Sequence, residues 1–360
     1  MTLNIALQVG DPAPWFIEAS SDRQGPYHFD KAAGRYALLF FFGSSMRPEV
    51  QESLAVVERH KAMLDQANLL FFGISSDPAD AARLTADPAA PGLHYIYDGA
   101  GKVGPLYGFR PEGPPAWLLV DPMLRVIAVF GHQPGVAQGI FELLARIPPA
   151  AARAQAEATP VLMLSDVFEP AFCAHLIDHY GRVGGALSGV FTEYDAGQSV
   201  RAMDMRFKRR RDCRIEQPEL VAQIEQRISR RIVPEIRKIF QFHATYLERI
   251  LVACYDAAEQ GRFGAHRDNT LAAVAHRRFA ISINLNDGFS GGGVCFPEFG
   301  PRAFSPPAGG AVVFSCGLMH RVETVTEGRR FACLTFAYDE AAAEIRRAHW
   351  KDRRGGDGGK

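Results

Sequence analysis

The stretch Leu251–Asn269, LVACYDAAEQGRFGAHRDN, decides how this chain is read. Its apolar start reads as a β-strand, and near its end His266 and Asp268 stand one residue apart. Residues two apart in an extended chain project to the same side. An imidazole and a carboxylate therefore face one space, as two ligands of one metal ion would. A third donor, His320, lies just beyond a second apolar strand pattern in Ala311–Val325, AVVFSCGLMHRVETV. Ten residues further on, in Glu327–Asp339, EGRRFACLTFAYD, comes Arg330. A guanidinium holds a carboxylate through two parallel charge-assisted hydrogen bonds, each worth roughly 1.5–3 kcal/mol. Arg329 is the competing anchor, and strand alternation, which turns neighbours to opposite faces, favours Arg330.

Two histidines and one carboxylate are the facial ligand set of non-haem Fe(II) oxygenases, which leaves coordination positions open. The surrounding segments extend the likeness. ISINLND (281–287) reads as the next strand, GGGVCFPEFG (291–300) as the hairpin after it, and HRVETVTEGRR (320–330) carries a histidine, valines, a glycine and an arginine in order. Over roughly residues 160–345 the chain resembles the prolyl-4-hydroxylase type of Fe(II)/2-oxoglutarate dioxygenase. The resemblance implies that His266, Asp268 and His320 bind Fe(II), that Arg330 holds the C5 carboxylate of the cosubstrate 2-oxoglutarate, and that Tyr255 adds a phenolic hydrogen bond to it. It also implies O2 as reactant, succinate and CO2 as coproducts, ascorbate as a candidate reductant, and a small-molecule or peptidyl, proline-like substrate. One departure stands out. Where many relatives carry a tyrosine, ISINLND has Ser282 and Asn284, which leaves that wall of the pocket open.

At 360 residues, two domains are expected. A hydrophobic content of 47% with 22% charged residues excludes a disordered chain, and 40 basic against 40 acidic side chains point to neither nucleic acid nor a membrane surface. MTLNIALQVGDPAP (1–14) lacks a signal-peptide pattern, and no run nears the ~18 apolar residues of a membrane helix, so a cytoplasmic protein is expected. The six cysteines include no CxxC pair, and Cys295, Cys316 and Cys333 are assigned no role.

The first part reads as strands alternating with helices. YALLFFF (36–42) is a buried strand, VQESLAVVERHKAMLDQ (50–66) a helix with Pro48 in its first turn, and LLFFGISSD, LHYIYD, PPAWLLVDP and LRVIAVF are further extended segments. VGDPAPWF, FFGISSD, YDGAGKVGPLYG and PAWLLVDPMLRVIAVF are similar, in order, to the peroxiredoxin branch of the thioredoxin-like fold, in which Pro115 occupies a frequent cis-proline position. Yet the first cysteine is Cys173, and FFGSSMRPEV (41–50) offers Ser44, Ser45 and Met46 where such a family places its reactive thiol.

IPPAAARAQAEATP (147–160) reads as a linker, after which VLMLSDVFEPAFCAHLIDHYGRV (161–183) gives a short strand, a turn and a helix burying Phe172, Leu176 and Ile177; this helix and a second over 218–240, interrupted by Pro234, are expected to pack outside a barrel. The basic run Lys208–Arg214 within FKRRRDCRIEQ reads as a solvated surface, with an acidic-substrate patch or a lid as the alternative. The expected architecture is an α/β thioredoxin-like domain without a catalytic cysteine (1–147), a linker (148–159), a mostly-β double-stranded β-helix with supporting helices (160–345), and a mobile tail (346–360). A homodimer, a non-catalytic 2-oxoglutarate-binding sensor and a redoxin-type redox protein stay open as alternatives.

Overall fold

The structure, a computed structural model, describes residues 5–22, 25–154, 158–194 and 198–356, with backbone alone at 153–154, 190–194, 198–202 and 350–356. It divides into two compact units, Met1–Ala158 with Pro297–Pro301, and Thr159–Phe296 with Arg302–Lys360.

The first unit is built on strands β1 (Tyr36–Phe42), β2 (Leu69–Ser75), β3 (Leu93–Tyr97), β4 (Ala116–Val120) and β5 (Val126–Gly131), with helices α1 (Pro48–Arg59) and α2 (Val136–Leu144). The sheet order is β3-β2-β1-β4-β5, parallel from β3 to β1 and antiparallel beyond. Every residue of β1 and β2 is buried, which is why both segments are continuously apolar rather than alternating. Phe40 stacks on Trp117 at 3.9 Å. Among the described residues every peptide bond, including that before Pro115, is trans.

Ser44 and Ser45 precede α1, and their hydrogen bonds are already committed. Ser45 donates its N–H and hydroxyl to the Asp80 carboxylate at 2.8 and 2.5 Å, and Ser75 Oγ donates to it at 2.6 Å. Arg83 adds an ion pair at 3.1 Å to this fully buried carboxylate.

The second unit has a seven-stranded and a five-stranded sheet. Its elements are β6 (Leu162–Leu164), α3 (Pro170–Val183), β7 (Ala186–Leu187), β8 (Lys208–Arg209), β9 (Arg211–Arg214), α4 (Pro218–Arg231), α5 (Val233–Phe240), β10 (Tyr246–Asp256), β11 (Arg262–His266), β12 (Phe279–Asn284), β13 (Val294–Cys295), β14 (Ala303–Phe304), β15 (Ala311–Ser315), β16 (His320–Val322), β17 (Arg329–Tyr338) and α6 (Glu340–Gly356). The large sheet runs β6-β15-β12-β17-β10-β9-β7 and the smaller one β8-β11-β16-β13-β14. Leu220, Ile224 and Ile228 of α4 with Phe172 and Leu176 of α3 pack on Val252, Ile281, Ile283, Val313 and Cys333, one face of the large sheet. The opposite face, through Leu251, Ala253, Tyr255 and Leu334, meets Phe263 and Val322 of the smaller sheet. Helix 218–240 breaks at Ile232, as Pro234 requires by removing an N–H and crowding the preceding turn.

Two segments toward the ends of the units have helical structure. Ala150–Ala154, within the linker expected at 148–159, is helical, since its alanines favour that conformation once Pro149 starts the turn; residues 155–157 lie outside the described residues. Helix α6, in the segment 339–360 where a short helix before a glycine-rich end is expected, continues through Gly356, and 357–360 lie outside the described residues.

Replacing Asp80 by alanine strands the Ser45 and Ser75 donors in the core. The expected loss is about 1–3 kcal/mol of unfolding free energy, read by denaturant titration on the fluorescence of Trp15 and Trp117, with a Leu143→Ala surface control near zero.

Candidate metal centre

Strand pairing assembles the three donors. His266 ends β11 and lies in register with His320, the first residue of β16. Asp268 stands beyond the strand end rather than on it, and its N–H donates to the Cys316 carbonyl at 3.0 Å, fastening the turn to the segment before His320. The Asp268 carboxylate lies 3.5 Å from His266 Nε2 and 3.4 Å from His320 Nε2. One donor atom from each of the three residues lies within 4.8 Å of the others, and no second such group occurs among the described residues.

The donors are also set in the protonation state a metal needs. His266 Nδ1 lies 2.8 Å from the Gly264 carbonyl and His320 Nδ1 3.1 Å from that of Leu318. A carbonyl only accepts, so each Nδ1 carries the proton and each Nε2 presents its lone pair to the centre. Burial, reinforced by His266, pushes the His320 pKa down to about 4, which keeps this imidazole neutral near pH 7. The Asp268 pKa is lowered although burial acts to raise it, with the Arg277 charge among the groups that lower it. Two imidazoles and a carboxylate on one side fit a divalent first-row metal with open positions. Phe263 stacks on His266 at 3.7 Å and Phe314 lies 4.6 Å from His320, fixing both rings.

Arg330 and Tyr255 are register partners on β17 and β10, both buried and both facing the smaller sheet. Arg329, on the opposite face, is exposed and pairs with Asp256 at 2.7 Å. Arg330 Nε donates to Asn284 Oδ1 and Nη2 to Ser282 Oγ, each at 3.0 Å. The two residues that depart from the family pattern thus aim the guanidinium. Among the described residues Arg330 forms no ion pair, and its Cζ lies 5.4 Å from the Tyr255 ring. Gly292, at φ +68, lets the hairpin close over the Arg330 stem; a Cβ there would come within 3.1 Å of Arg330 Cδ and 2.8 Å of Val325.

The basic run is not a uniformly solvated surface. Lys208 and Arg210 are buried because alternation turns them inward, while Arg209 is half-buried and Arg214 exposed. Arg210 pairs with Asp212 at 2.6 Å and donates to Tyr255 Oη at 3.2 Å, leaving the phenol free to donate its own proton. Burial acts to raise the Asp212 pKa, but Arg210 holds it down to about 2. Lys208 Nζ donates to Ser188 Oγ at 2.8 Å and lies 4.5 Å from the Phe263 ring. Sequence reasoning noted Ser282 and Asn284 only as a departure and Arg210 only as part of a basic run, and passed over Asp212; the two-residue spacing of each pair was the available signal.

No protein-family model matches the chain. Among curated proteins it is similar to PKHD-type hydroxylases. It is 28% identical over 97 residues to one from Synechococcus sp. (strain JA-2-3B'a(2-13)), covering 25% of this chain and 42% of the relative. It is 31% identical over 84 residues to one from Verminephrobacter eiseniae, covering 21% and 37%. The chain thus spans less than half the length of these curated relatives. Among solved structures, a Pseudomonas putida prolyl-4-hydroxylase aligns over 53% of this chain and 98% of its own at 18% identity and TM-score 0.39. A candidate thiol:disulfide interchange protein DsbE from Chlorobium tepidum aligns over 39% of this chain and 98% of its own at 21% identity and TM-score 0.33. Among the described residues, no helix is long and apolar enough to cross a membrane.

Glu248, at the far end of β10, bonds His276 Nε2 at 2.5 Å and Arg277 Nη2 at 2.9 Å. Burial acts to raise its pKa, but these partners drive it well below the usual carboxylate value of 4.5. A depressed folded-state pKa stabilises the fold above the unfolded value, and that stability is lost as pH falls below it. Unfolding free energy measured from pH 6 to pH 3 should therefore fall less steeply in Glu248→Gln than in the wild type.

Proposed function

We propose that this chain is an Fe(II)- and 2-oxoglutarate-dependent hydroxylase acting on an amino-acid or peptidyl, proline-like C–H bond. Residues 160–345 form its double-stranded β-helix catalytic domain, and residues 1–147 a thioredoxin-like domain with no thiol of its own. The observation that carries the reading is a buried guanidinium with no acidic partner among the described residues, held by two neutral side chains in the inter-sheet space that also holds the His266, Asp268 and His320 donors. An uncompensated buried charge is costly unless a ligand of opposite sign meets it.

His266, Asp268 and His320 would hold the metal. Fe(II), when bound with 2-oxoglutarate and O2, supplies the oxidising power that converts the keto acid to succinate and CO2 and hydroxylates the substrate. Arg330 binds the distal carboxylate of the cosubstrate. Ser282 and Asn284 fix its plane, so little guanidinium freedom is lost on binding. Tyr255, with its oxygen already accepting from Arg210, directs its proton to the same carboxylate. Phe263 and Phe314 shield the imidazoles from water. The redoxin reading finds no support, because residues 1–172 contain no cysteine.

The test needs no substrate. Fe(II)-loaded protein mixed with 2-oxoglutarate without oxygen should develop the visible charge-transfer band of a chelated keto acid. The His266→Ala variant should develop none. Arg330→Ala should need about 100-fold more 2-oxoglutarate, the equivalent of roughly 3 kcal/mol, and Asn284→Ala should fall between. Folded wild type that binds Fe(II) and gives no band would overturn the proposal.

A further inference from the structure

The cations named so far each have an acid or a neutral hydrogen-bond acceptor as partner, and Arg249 has neither among the described residues. Arg210 is met by Asp212, Arg277 by Glu248, and Lys208 by Ser188 and the Gly189 carbonyl. Arg330 is held by Ser282 and Asn284. Arg249 makes no ion pair or hydrogen bond among the described residues, and its Nε is buried without a partner. The backbone presents this side chain at a strain. Arg249 has φ +50, a left-handed conformation that suits glycine or asparagine, within the β-bulge between Glu248 and Leu251. Bulges and strained residues of this kind re-aim side chains at functional sites.

The bulge brings Arg249 to the side of the large sheet that carries Phe336 and Arg277. Its Cζ lies 5.8 Å from the Phe336 ring, whose other neighbour, Arg277, stacks at 3.9 Å and is close enough to help hold Asp268 ionised. Arg210 and Asp212 also act on its charge, and Arg210 lies 5.7 Å from the Phe263 ring that stacks on His266. Burial, with repulsion from Arg277 and Arg210, lowers the Arg249 pKa to about 10, so the group stays charged at neutral pH. It is half-buried rather than sealed, and so can be reached from solvent.

We infer that Arg249 determines specificity for an acidic substrate, binding a carboxylate that the substrate carries near the oxidised carbon. This rests on the hydroxylase reading above. One uncompensated positive charge flanked by Asp212 and Glu248 matches a singly charged carboxylate. A doubly charged phosphate would be repelled by both of those acids.

The carboxylate can be that of a free amino acid or of an acidic side chain in a peptide, and two probe pairs separate them: proline against prolinamide, and a capped Glu-Pro-Glu peptide against its Gln-Pro-Gln counterpart. Each is titrated calorimetrically into Fe(II)- and 2-oxoglutarate-loaded protein without oxygen. In the wild type the carboxylate member of one pair should bind at least about tenfold tighter than its amide, and that pair names the source. Arg249→Asn, which suits the left-handed backbone, should abolish the advantage, and Arg249→Lys should keep most of it. Equal affinity within both pairs, no measurable binding by either carboxylate, or an advantage that survives in Arg249→Asn would overturn the inference. The charge-transfer band of the same wild-type sample separates the failures: a normal band with no carboxylate preference removes this inference alone, and a missing band removes the hydroxylase reading.

Discussion

A charge buried between two β-sheets must be met by an opposite charge or by directed hydrogen bonds, because the desolvation it suffers exceeds what a distant dipole returns. The second unit is arranged around that constraint. Strand positions that in an ordinary sandwich would carry valine or leucine carry Lys208, Arg210 and Arg330 instead, all three buried. Each has its own solution. Arg210, just before β9, and Asp212, within it, sit two residues apart, so one side of an extended segment supplies both members of the pair. Arg330 has no acid within reach among the described residues and is held by a hydroxyl and an amide, both neutral. A neutral cradle orients a cation without cancelling it, and the uncancelled charge is what a dicarboxylic cosubstrate requires.

Register carries this arrangement from one strand to the next. β17 pairs with β10 through Arg330 and Tyr255, and with β12 through Leu334 and Ser282. Because side chains alternate, a slip of one residue would exchange the inner row of Ala332 and Leu334 for the outer row of Phe331 and Cys333, which packs with the helices. The apolar outer face thus locks the register that keeps Arg330 inside. Stability and site geometry depend on one pairing, and α3 and α4 contribute to the site without touching it.

The parts legible in the sequence were those that depend on a short repeat. HxD at 266–268, the alternation that separates Arg330 from Arg329, the buried run at Tyr36–Phe42 and the break at Pro234 are all local patterns; the last three stand as the pattern reads, while His266 and Asp268 lie together with Asp268 past the strand end rather than on the strand. Partnerships across long intervals were not legible. Glu248 meets Arg277, and Ser282 meets Arg330, only after the sheet has assembled. The bulge at Arg249 has no glycine to announce it, although asparagine or glycine would fit φ +50 better. The basic run misled for a related reason. A count of charges records how many there are, whereas burial depends on parity, and parity puts Lys208 and Arg210 on the inner face with Asp212 beside them.

The first unit shows the same chemistry used to the opposite end. A reactive thiolate at the start of a helix needs free N–H donors and a nearby cation to lower its pKa. At that place the chain has spent its donors on an acid: the Ser45 N–H and hydroxyl and the Ser75 hydroxyl all go to Asp80, while Ser44 bonds Asp77 at 2.7 Å. Arg83, the nearby cation, is paired with both carboxylates. A sulfur in the place of Ser45 Oγ would face a carboxylate oxygen, and like charges would push its pKa up rather than down. These surroundings would not activate a thiol, and residues 1–172 hold none. What remains is a closed set of hydrogen bonds that ties the turn before α1 to β2 and to the short helix Asp80–Arg83, and rigidity is what such a set supplies.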